Sequence, residues 1–325
     1  MKENFKNVTV IGCGRWGGFL GYYLAKYKKC DVIMYGLESD PSYQALVSTG
    51  KNDYVQMPDN VTYTTDLKSA LKNKFIVISI GCQGFRGLMK QLNTFDLSGK
   101  YFLLAMKGLE VATGKRLTQI FDEETSMQQN VHAAVLLGPG HVQDYLKEIP
   151  SCVVIDSKSD TAKKYIADFM NSDLIRTYYG VDLIGNEVGG ALKNVIGLAA
   201  GILDGLGFNG LKGALMSRAT VEVGKIIQYY GGNPHSAYGL AHLGDYEATL
   251  FSAHSHNRAF GEQFVRGDHF MKLAEGVPTL KAVYNLNKEL DIPICQSLYK
   301  VIYNGADAKK EINKLFHRPM KREFL

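Results

Sequence analysis

Near the amino terminus the chain reads Val8-Thr9-Val10-Ile11-Gly12-Cys13-Gly14-Arg15-Trp16-Gly17. The β-branched run ends at a glycine, and the pattern GxGxxG then opens a helical stretch over residues 17–28. In such a turn Gly12 allows the tight bend, Gly14 lets a pyrophosphate approach the backbone, and Gly17 lets the helix pack on the strand. Free N–H groups and the positive helix end then meet the phosphates. The stretch predicts a dinucleotide site; the alternative is a structural glycine turn in another kind of α/β protein.

Further apolar runs follow this turn at the spacing of a parallel sheet. The next predicted strands cover residues 31–35, 75–79, 101–105, 133–137 and 152–155. Continuous apolar runs suit strands that are buried on both faces of a sheet. Their alternation with helical stretches predicts a Rossmann-type fold, a doubly wound parallel α/β sheet.

The pattern changes near residue 180. Beyond it, β-branched runs give way to long helical stretches over residues 187–203, 211–230 and 280–290. We therefore predict two domains. Residues 1–180 form the Rossmann domain that binds NAD(P), and residues 181–325 form an all-α domain for substrate and catalysis.

Composition and charge exclude several classes of protein. The chain has 325 residues, a net charge of +5 and five cysteines without a CxxC pair. This mild charge suits anionic ligands such as phosphates without requiring nucleic acid, and the cysteine usage is typical of a reducing cytosol. No signal-like apolar region begins the chain, and the apolar run over residues 195–203 is too short to span a bilayer. We expect a cytoplasmic protein with no membrane span and no nucleic-acid partner, and we interpret the basic residues 317–322 as a solvated tail.

The residues after the second predicted strand bear on the choice between NAD and NADP. Glu38 follows this strand, and a carboxylate there accepts a hydrogen bond from the ribose 2′-hydroxyl, which favours NAD. No arginine stands beside it to hold a 2′-phosphate. Because Glu38 as a solvated loop acid is the alternative, both cofactors stay open, with a slight preference for NAD.

Lys193 is the most unusual residue of the helical half. It lies in the apolar, glycine-rich helix start Gly189-Gly190-Ala191-Leu192-Lys193-Asn194. Burial lowers the pKa of a lysine and prepares it for proton transfer at neutral pH. The alternative is a lysine that snorkels to the surface.

This helix start and several other motifs resemble the NAD(P)-dependent glycerol-3-phosphate dehydrogenases. The resemblance spans about residues 8–303, and its most specific piece runs over residues 189–196. The supporting motifs, in chain order, are the turn over residues 12–17, Lys107-Gly108-Leu109-Glu110, Gly138-Pro139, Gly239-Leu240-Ala241-His242-Leu243-Gly244-Asp245, Asn257-Arg258-Ala259-Phe260-Gly261, Glu275-Gly276 and Ile292-Pro293-Ile294. Several ordered motifs are far more specific than any one alone.

The resemblance implies a reaction and a set of site residues. The family interconverts dihydroxyacetone phosphate and sn-glycerol 3-phosphate, and Lys193 would exchange the proton while the nicotinamide exchanges hydride. Lys107 would lie close to the substrate and the cofactor, and Asp245 would orient the lysine or the substrate. Substrate contacts are implied for Gly138, Gly140, Asn194, Thr249, Ser255, His256 and Asn257. Cofactor contacts are implied for Gly12, Gly14, Arg15, Trp16, Gly17, Val142, Arg258, Leu273 and Glu275. A homodimer is expected on the same basis.

One departure from the family pattern concerns phosphate binding. His256 stands where the family usually has an arginine that contacts phosphate and cofactor. Arginine is always charged and binds bidentately, whereas histidine is shorter and only partly charged at neutral pH. The departure leaves room for a shifted substrate, such as another polyol phosphate. Arg258 and Lys212 are the candidates to compensate.

A metal site is an alternative to lysine chemistry. It is suggested by the local group His235, His242, His254 and His256. Zinc and iron sites in polyol dehydrogenases use histidine and carboxylate ligands. The spacing here matches no tight ligand motif, and a catalytic lysine makes a metal unnecessary, so we expect none.

Two further functions stay open. A related lysine-dependent dehydrogenase could act on a β-hydroxyacid or ketopantoate, but the motifs at residues 239–245 and 257–261 are not expected in it. A non-catalytic nucleotide sensor could have kept the fold. The joint presence of Lys107, Lys193 and Asp245 argues against the sensor, because an inactive descendant has little chemical reason to keep all three.

Overall fold

The computed structural model describes residues 5–286, 290–320 and 322–323. Residues 287–289, at the end of the third predicted helical stretch, lie outside this range. The chain divides into two compact units. The first unit comprises Met1–Met106 and Leu117–Val181, and the second comprises Lys107–Arg116 and Asp182–Leu325.

An eight-stranded sheet forms the centre of the first unit. Its strands are β1 (Asn7–Ile11), β2 (Asp31–Tyr35), β3 (Val61–Thr64), β4 (Phe75–Ile78), β5 (Tyr101–Leu104), β6 (His132–Leu137), β7 (Ser151–Asp156) and β8 (Ile175–Tyr179). They lie in the order β3-β2-β1-β4-β5-β6-β7-β8. The first six positions follow the order of dinucleotide-binding sheets, in which the reversal between β1 and β4 opens a crevice at the carboxyl ends of the strands. The Rossmann-type fold predicted from the sequence is confirmed.

The helices of the first unit connect these strands. They are α1 (Arg15–Lys26), α2 (Pro41–Thr49), α3 (Leu67–Ala70), α4 (Phe85–Leu92), α5 (Leu117–Glu124), α6 (Val142–Leu146) and α7 (Asp160–Met170). The inner strands β4 and β5 are buried along their whole length, which explains their continuous apolar sequences. From α1, the side chains of Phe19, Leu20 and Tyr23 are fully buried in the core of this unit.

The sheet differs from the prediction at its edges. The sequence predicts neither β3 nor β8, which are the two edge strands. Both are only partly buried, so their sequences lack the continuous apolar run of an inner strand. The predicted strand over residues 152–155 exists as β7, but it pairs antiparallel with β6. The connection between these two strands spans residues 138–150 and carries only the short helix α6.

The second unit is built from helices, as predicted. They are α8 (Leu183–Gly205), α9 (Lys212–Tyr229), α10 (His256–Arg266), α11 (Gly276–Leu286), α12 (Pro293–Asn304) and α13 (Ala308–Phe316). Helix α8 is central, and its Val188, Leu192 and Val195 share one apolar core with Val223 and Ile227 of α9. Within the parts of the chain that the structure describes, no helix is long and apolar enough to cross a membrane.

The segment Lys107–Arg116 corrects the predicted division at residue 180. The sequence places it in the first domain, whereas in the structure it belongs to the second unit. Its Leu109 is fully buried in the helical core, and its Arg116 forms an ion pair with Glu187 of α8. These contacts are made with residues that follow much later in the chain, so local sequence patterns give no sign of them.

Two glycines of the GxGxxG turn serve packing. Gly12 has a φ of +110°, and a Cβ there would lie 2.1 Å from the main-chain oxygen of Ser79. A Cβ on Gly17 would lie 2.1 Å from the main-chain oxygen of Gly12. A Cβ on Gly14, by contrast, would meet no atom within 4 Å. The first and third glycines are therefore needed for folding, whereas Gly14 leaves open space.

We predict that Gly17→Ala and Gly14→Ala differ in stability. Gly17→Ala should lower the free energy of unfolding by about 1–3 kcal/mol, because the added methyl group overlaps the backbone of the turn. Gly14→Ala, the matched control, should change it by less than about 1 kcal/mol. Urea denaturation of both variants measures the difference, and an equal loss in the two would contradict this account of the turn.

Candidate functional site

The start of α1 offers an anion site in the first unit. Gly14 is its N-cap residue and contributes no side-chain cap, so the first N–H groups of the helix are not satisfied by a capping side chain. The open space at Gly14 would be filled by any side chain. Arg15 and Trp16 follow as the first helical residues, and burial lowers the pKa of Arg15. These residues fit the pyrophosphate of a dinucleotide.

A second glycine-rich loop leaves the same edge of the sheet. Gly138 and Gly140 follow β6, which runs in the same direction as β1, and both have positive φ values of +127° and +156°. A Cβ on Gly140 would lie 2.5 Å from the hydroxyl of Tyr145. Val142 begins α6, and its side chain is 2% exposed within the core. Val142 therefore offers almost no exposed surface for a contact with a cofactor.

A carboxylate shared by two lysines is the centre of the second unit's polar cluster. Asp245 Oδ2 lies 2.6 Å from Lys107 Nζ and 3.0 Å from Lys193 Nζ. Lys193 Nζ also donates a hydrogen bond to Thr249 Oγ1 at 2.8 Å, and Thr249 Oγ1 donates to the main-chain oxygen of Asp245 at 2.7 Å. Asp245 is buried, and the Lys193 side chain is 12% exposed. The structure thus brings together four residues that the sequence predicts for the site.

Glycines on α8 allow this cluster to form. Asp245 ends a short 3₁₀ helix, and Thr249 lies in the π-helical turn Glu247–Phe251. A Cβ on Gly197, one turn beyond Lys193, would lie 2.8 Å from Thr249 Cγ2 and 3.2 Å from Asn257 Cβ. The missing side chain therefore lets the π-helical turn and α10 approach α8 together. Turns of this kind are rare and occur frequently at functional sites.

Two asparagines form a neighbouring polar pair. Asn257 Nδ2 donates to Asn194 Oδ1 at 3.0 Å, and Asn257 Oδ1 accepts from the main-chain N–H of Gly276 at 2.8 Å. Both side chains are buried, so they are held in fixed orientations. Ser255 is the N-cap residue of α10, and its hydroxyl accepts from the N–H of Arg258. These predicted substrate residues are part of the scaffold around α8.

His242 is a buried member of this region that the sequence analysis considered for a role only within the alternative metal site. Its Nδ1 lies 2.9 Å from the main-chain oxygen of Gly189, and its Nε2 lies 2.7 Å from the hydroxyl of Tyr246. Since a carbonyl only accepts, Nδ1 carries the hydrogen and Nε2 accepts from the tyrosine. Burial lowers the pKa of His242 to about 4, and the ring is therefore neutral at physiological pH. It ties α8 to the segment that carries Asp245.

The structure gives Arg258 and Lys212 partners of their own. Arg258 Nη1 lies 2.6 Å from Asp204 and 3.1 Å from Glu262. Lys212 Nζ lies 2.6 Å from Asp204 and donates to the main-chain oxygen of Leu250. Because both cations are paired with carboxylates, neither is well placed to replace an arginine at a phosphate.

The remaining predicted residues of the second unit lie around α10 and α11. His256 is the first residue of α10 and is half-buried, with its ring 6.3 Å from that of Phe270. Leu273 is 62% exposed, and Glu275 immediately precedes α11. In residues 5–286, 290–320 and 322–323, no three His, Cys, Asp or Glu side chains gather into a group that could hold a metal ion.

The buried histidine gives a pH dependence that can be measured. A histidine whose folded pKa is lowered contributes stability above its unfolded pKa of about 6.5, and this stability is lost as the pH falls towards 4. Between pH 7 and pH 5 the wild type should lose about 2 kcal/mol of unfolding free energy through this group. We expect His242→Gln to lack this part of the loss, since glutamine does not titrate, whereas His235→Gln, at an exposed position, should retain it. Urea titrations at the two pH values measure it, and equal pH dependence in both variants would refute the assignment.

Comparison with known proteins identifies the family to which this chain is similar. The family model described as the NAD-dependent glycerol-3-phosphate dehydrogenase N-terminus matches residues 7–163, and that of the C-terminus matches residues 182–313. A glycerol-3-phosphate dehydrogenase (NAD(P)+) of Exiguobacterium sp. is 34% identical over 98% of this chain and 97% of its own length. The enzyme of the same name from Chlorobium limicola is 31% identical over 98% of this chain and 99% of its own.

Solved structures agree on the fold. The crystal structure of glycerol-3-phosphate dehydrogenase from Coxiella burnetii superposes with a TM-score of 0.90 at 24% identity, covering 97% of this chain and all of the other. A ketopantoate reductase from Ralstonia eutropha gives a TM-score of 0.61 at 14% identity over 96% of this chain and 100% of its own, a likeness of fold alone. Because relatives above 30% identity span nearly the whole chain and the family models match both of its halves, the chain belongs to the NAD(P)-dependent glycerol-3-phosphate dehydrogenase family.

Proposed function

We propose that this oxidoreductase interconverts dihydroxyacetone phosphate and sn-glycerol 3-phosphate, with Lys193 exchanging the proton at the oxygen on C2. The observation that carries the proposal is the carboxylate of Asp245, which is held between the ammonium groups of Lys107 and Lys193. A carboxylate between two cations leaves a net positive charge of one. This charge suits an anionic substrate and the negative charge that develops on a reduced carbonyl oxygen.

Lys193 has the chemistry that the reaction needs. Reduction of a ketone places negative charge on oxygen, and an adjacent ammonium group both stabilises this charge and donates a proton. In the reverse direction the same nitrogen accepts the proton of the hydroxyl. A bound nicotinamide supplies or takes the hydride. The contacts of Lys193 Nζ with Asp245 and Thr249 fix the direction of the ammonium group, so the donor is oriented before the substrate arrives.

The other site residues have supporting roles in this proposal. Lys107 is 20% exposed and attracts the substrate, while Asp245 holds both lysines in place. Asn194, Ser255, His256 and Asn257, together with the loop of Gly138 and Gly140, contribute polar contacts to the substrate. Arg15 and Trp16 at the start of α1 bind the cofactor with Gly12, Gly14 and Gly17. The family resemblance adds Lys107, Val142, Leu273 and Glu275 to these residues, and Arg258 as a residue held by Asp204 and Glu262. The exposed Glu38 after β2 supports a preference for NAD over NADP.

Initial rates test the proposed reaction directly. Purified protein is assayed with NADH and with NADPH against dihydroxyacetone phosphate, other ketose phosphates, ketopantoate and a β-ketoacid. Turnover of dihydroxyacetone phosphate with either cofactor supports the proposal, and a larger kcat/KM with NADH supports the preference for NAD. Binding of the nicotinamide without turnover of any substrate would instead indicate a nucleotide sensor.

Replacing the catalytic lysine should separate chemistry from binding. Lys193→Ala should lower kcat by roughly 10²–10⁴-fold, because the proton donor is lost, while the Kd for NADH stays near that of the wild type. Lys309→Ala, at an exposed position of α13, is the control for loss of a lysine from the same unit. Near-normal turnover in Lys193→Ala would falsify the assignment of the proton donor.

Restoring the arginine at position 256 tests the phosphate contact. His256→Arg should lower the KM for dihydroxyacetone phosphate by roughly tenfold, since a charge-assisted hydrogen bond to phosphate adds about 1.5 kcal/mol. The KM for dihydroxyacetone, which has no phosphate, should stay the same and serves as the control. If arginine raises the KM for dihydroxyacetone phosphate, the site is adapted to another polyol phosphate, which is the second candidate substrate class.

We further infer that the protein works as a homodimer in the cytoplasm. All five cysteines are free thiols, which suits a reducing compartment. The dimer is inferred from the family, and sedimentation equilibrium of the full chain measures it.

A further inference from the structure

A cavity of about 460 Å³ lies within the helical unit and is lined by none of the residues assigned to the catalytic cluster. One wall is a face of α9, with Ala214, Leu215 and Val221 among its residues. The facing wall comes from α12, with Leu298 and Val301 among its residues. Cavities of small-molecule sites are typically about 300–1,000 Å³ and largely apolar. The volume and walls therefore suit a small ligand with an aliphatic part.

The segment after α13 runs along the rim of this cavity. We name it the C-terminal strap (residues 317–320 and 322–323). Arg318 of the strap pairs with Asp291, the residue that also holds Lys225 of α9 at 3.3 Å. The main-chain oxygen of Glu323 accepts a hydrogen bond of 2.9 Å from Arg218 of α9. The sequence predicts a solvated tail here, whereas these contacts place the strap against α9 and the segment before α12. Lys321, part of the predicted tail, lies outside the described residues.

The rim carries a small excess of positive charge. Its cations are Arg218, Lys225, Arg318 and Arg322, and its carboxylates are Asp291, Glu311 and Glu323. Asp291 pairs with Lys225 and Arg318, and Glu311 pairs with Lys314 outside the lining, so the cations of the rim exceed its carboxylates by one. A rim with an excess of cations above apolar walls is complementary to an anionic head group on an aliphatic chain.

The inner wall carries a carboxyl group whose charge is suppressed. Glu222 accepts hydrogen bonds from the N–H groups of Ile294 and Cys295 at 2.9 and 2.7 Å, at the first turn of α12. Burial raises the pKa of Glu222 to about 7, so at neutral pH it is only partly ionised. The interior therefore repels an anion less than an ionised wall would, and the charge of the rim stays positive.

We propose that this cavity binds an amphiphile with an aliphatic chain and an anionic head group. The chain lies between α9 and α12, and the head lies at Arg322 of the strap and Arg218 of α9. The contacts of Arg318 and Glu323 already occupy part of the rim, which favours a small ligand over a second copy of this chain. The shared chemistry is an anionic head on an aliphatic chain, which a fatty acid and a lipid phosphate both have.

Calorimetric titration of the full-length protein tests this proposal. The probes are decanoate, decyl phosphate and decyltrimethylammonium, each below its micelle concentration. We expect about one site per chain for one or both anions, with a negative heat-capacity change from burial of the chain, and no saturable binding of the cation. The two anionic probes distinguish a carboxylate from a phosphate ligand.

Matched variants place the binding in the cavity. Ala214 lines the cavity at an exposed position of α9, so Ala214→Trp should fill it and weaken binding at least roughly tenfold. Ser217→Trp, also exposed on α9 but outside the lining, should bind as the wild type does. Arg218→Gln should weaken binding of the anion roughly three- to fivefold, and Arg266→Gln on α10 is its control. Melting temperatures confirm that each variant is folded.

Three results would overturn the proposal. Equal binding of the cationic and anionic probes would show that the charges of the rim do not select the head group. Equal affinity in Ala214→Trp and Ser217→Trp would place the binding outside this cavity. Absence of binding together with a dimer that Ala214→Trp dissociates in sedimentation would show that the cavity receives a second copy of the chain. None of these results depends on whether the enzyme turns over dihydroxyacetone phosphate.

Discussion

The site depends on one buried carboxylate, that of Asp245. A carboxylate taken out of water loses hydration worth several kcal/mol unless opposite charge and hydrogen bonds replace it. Lys107 and Lys193 supply that charge from two different parts of the chain. The same contact therefore holds the two lysines within hydrogen-bonding distance of a single oxygen and leaves the cluster with a net positive charge of one. Removing one partner of a buried pair typically costs 3–5 kcal/mol, so structure and chemistry are coupled at this point.

The cluster around this carboxylate forms where the backbones of α8, α10 and the π-helical turn approach one another closely. Gly197 faces Thr249 and Asn257, and Gly201 and Gly261 let α8 and α10 pack with almost no side chain between them. Added Cβ atoms at these two glycines would lie 1.9 and 2.1 Å from main-chain oxygens of the opposite helix. The glycines that lower the helix propensity of α8 are thus the ones that let it carry a site. A helix richer in alanine would be intrinsically more stable but would hold its neighbours further from Lys193.

The sequence predicts those parts of the fold that are decided by local burial. Inner strands such as β4 and β5 are continuous apolar runs. The glycines of the turn that begins at Gly12 follow the GxGxxG spacing, which is typical of a tight turn between a strand and a helix. The edge strands β3 and β8 are half exposed, so their composition does not separate them from loops. The direction of β7 shows only in its antiparallel pairing with β6, because an apolar run has the same composition in either direction. Membership of Lys107–Arg116 in the helical unit rests on partners more than seventy residues away, as the ion pair of Arg116 with Glu187 shows.

The site was predictable as a set of residues but not as a geometry. The glycine-rich helix start draws attention to Lys193, and the family resemblance implies Lys107 and Asp245, yet nothing in the sequence says that the two lysines share one oxygen of Asp245. For the same reason, the sequence alone does not reveal the role of the histidines. A histidine among other histidines suggests ligands for a metal, but both ring nitrogens of His242 are used in hydrogen bonds to Gly189 and Tyr246. A buried neutral histidine of this kind acts as a cross-link between helices. The protonation of this ring depends on the atoms that its two nitrogens contact. Those contacts form only when α8 and the segment before the π-helical turn pack together.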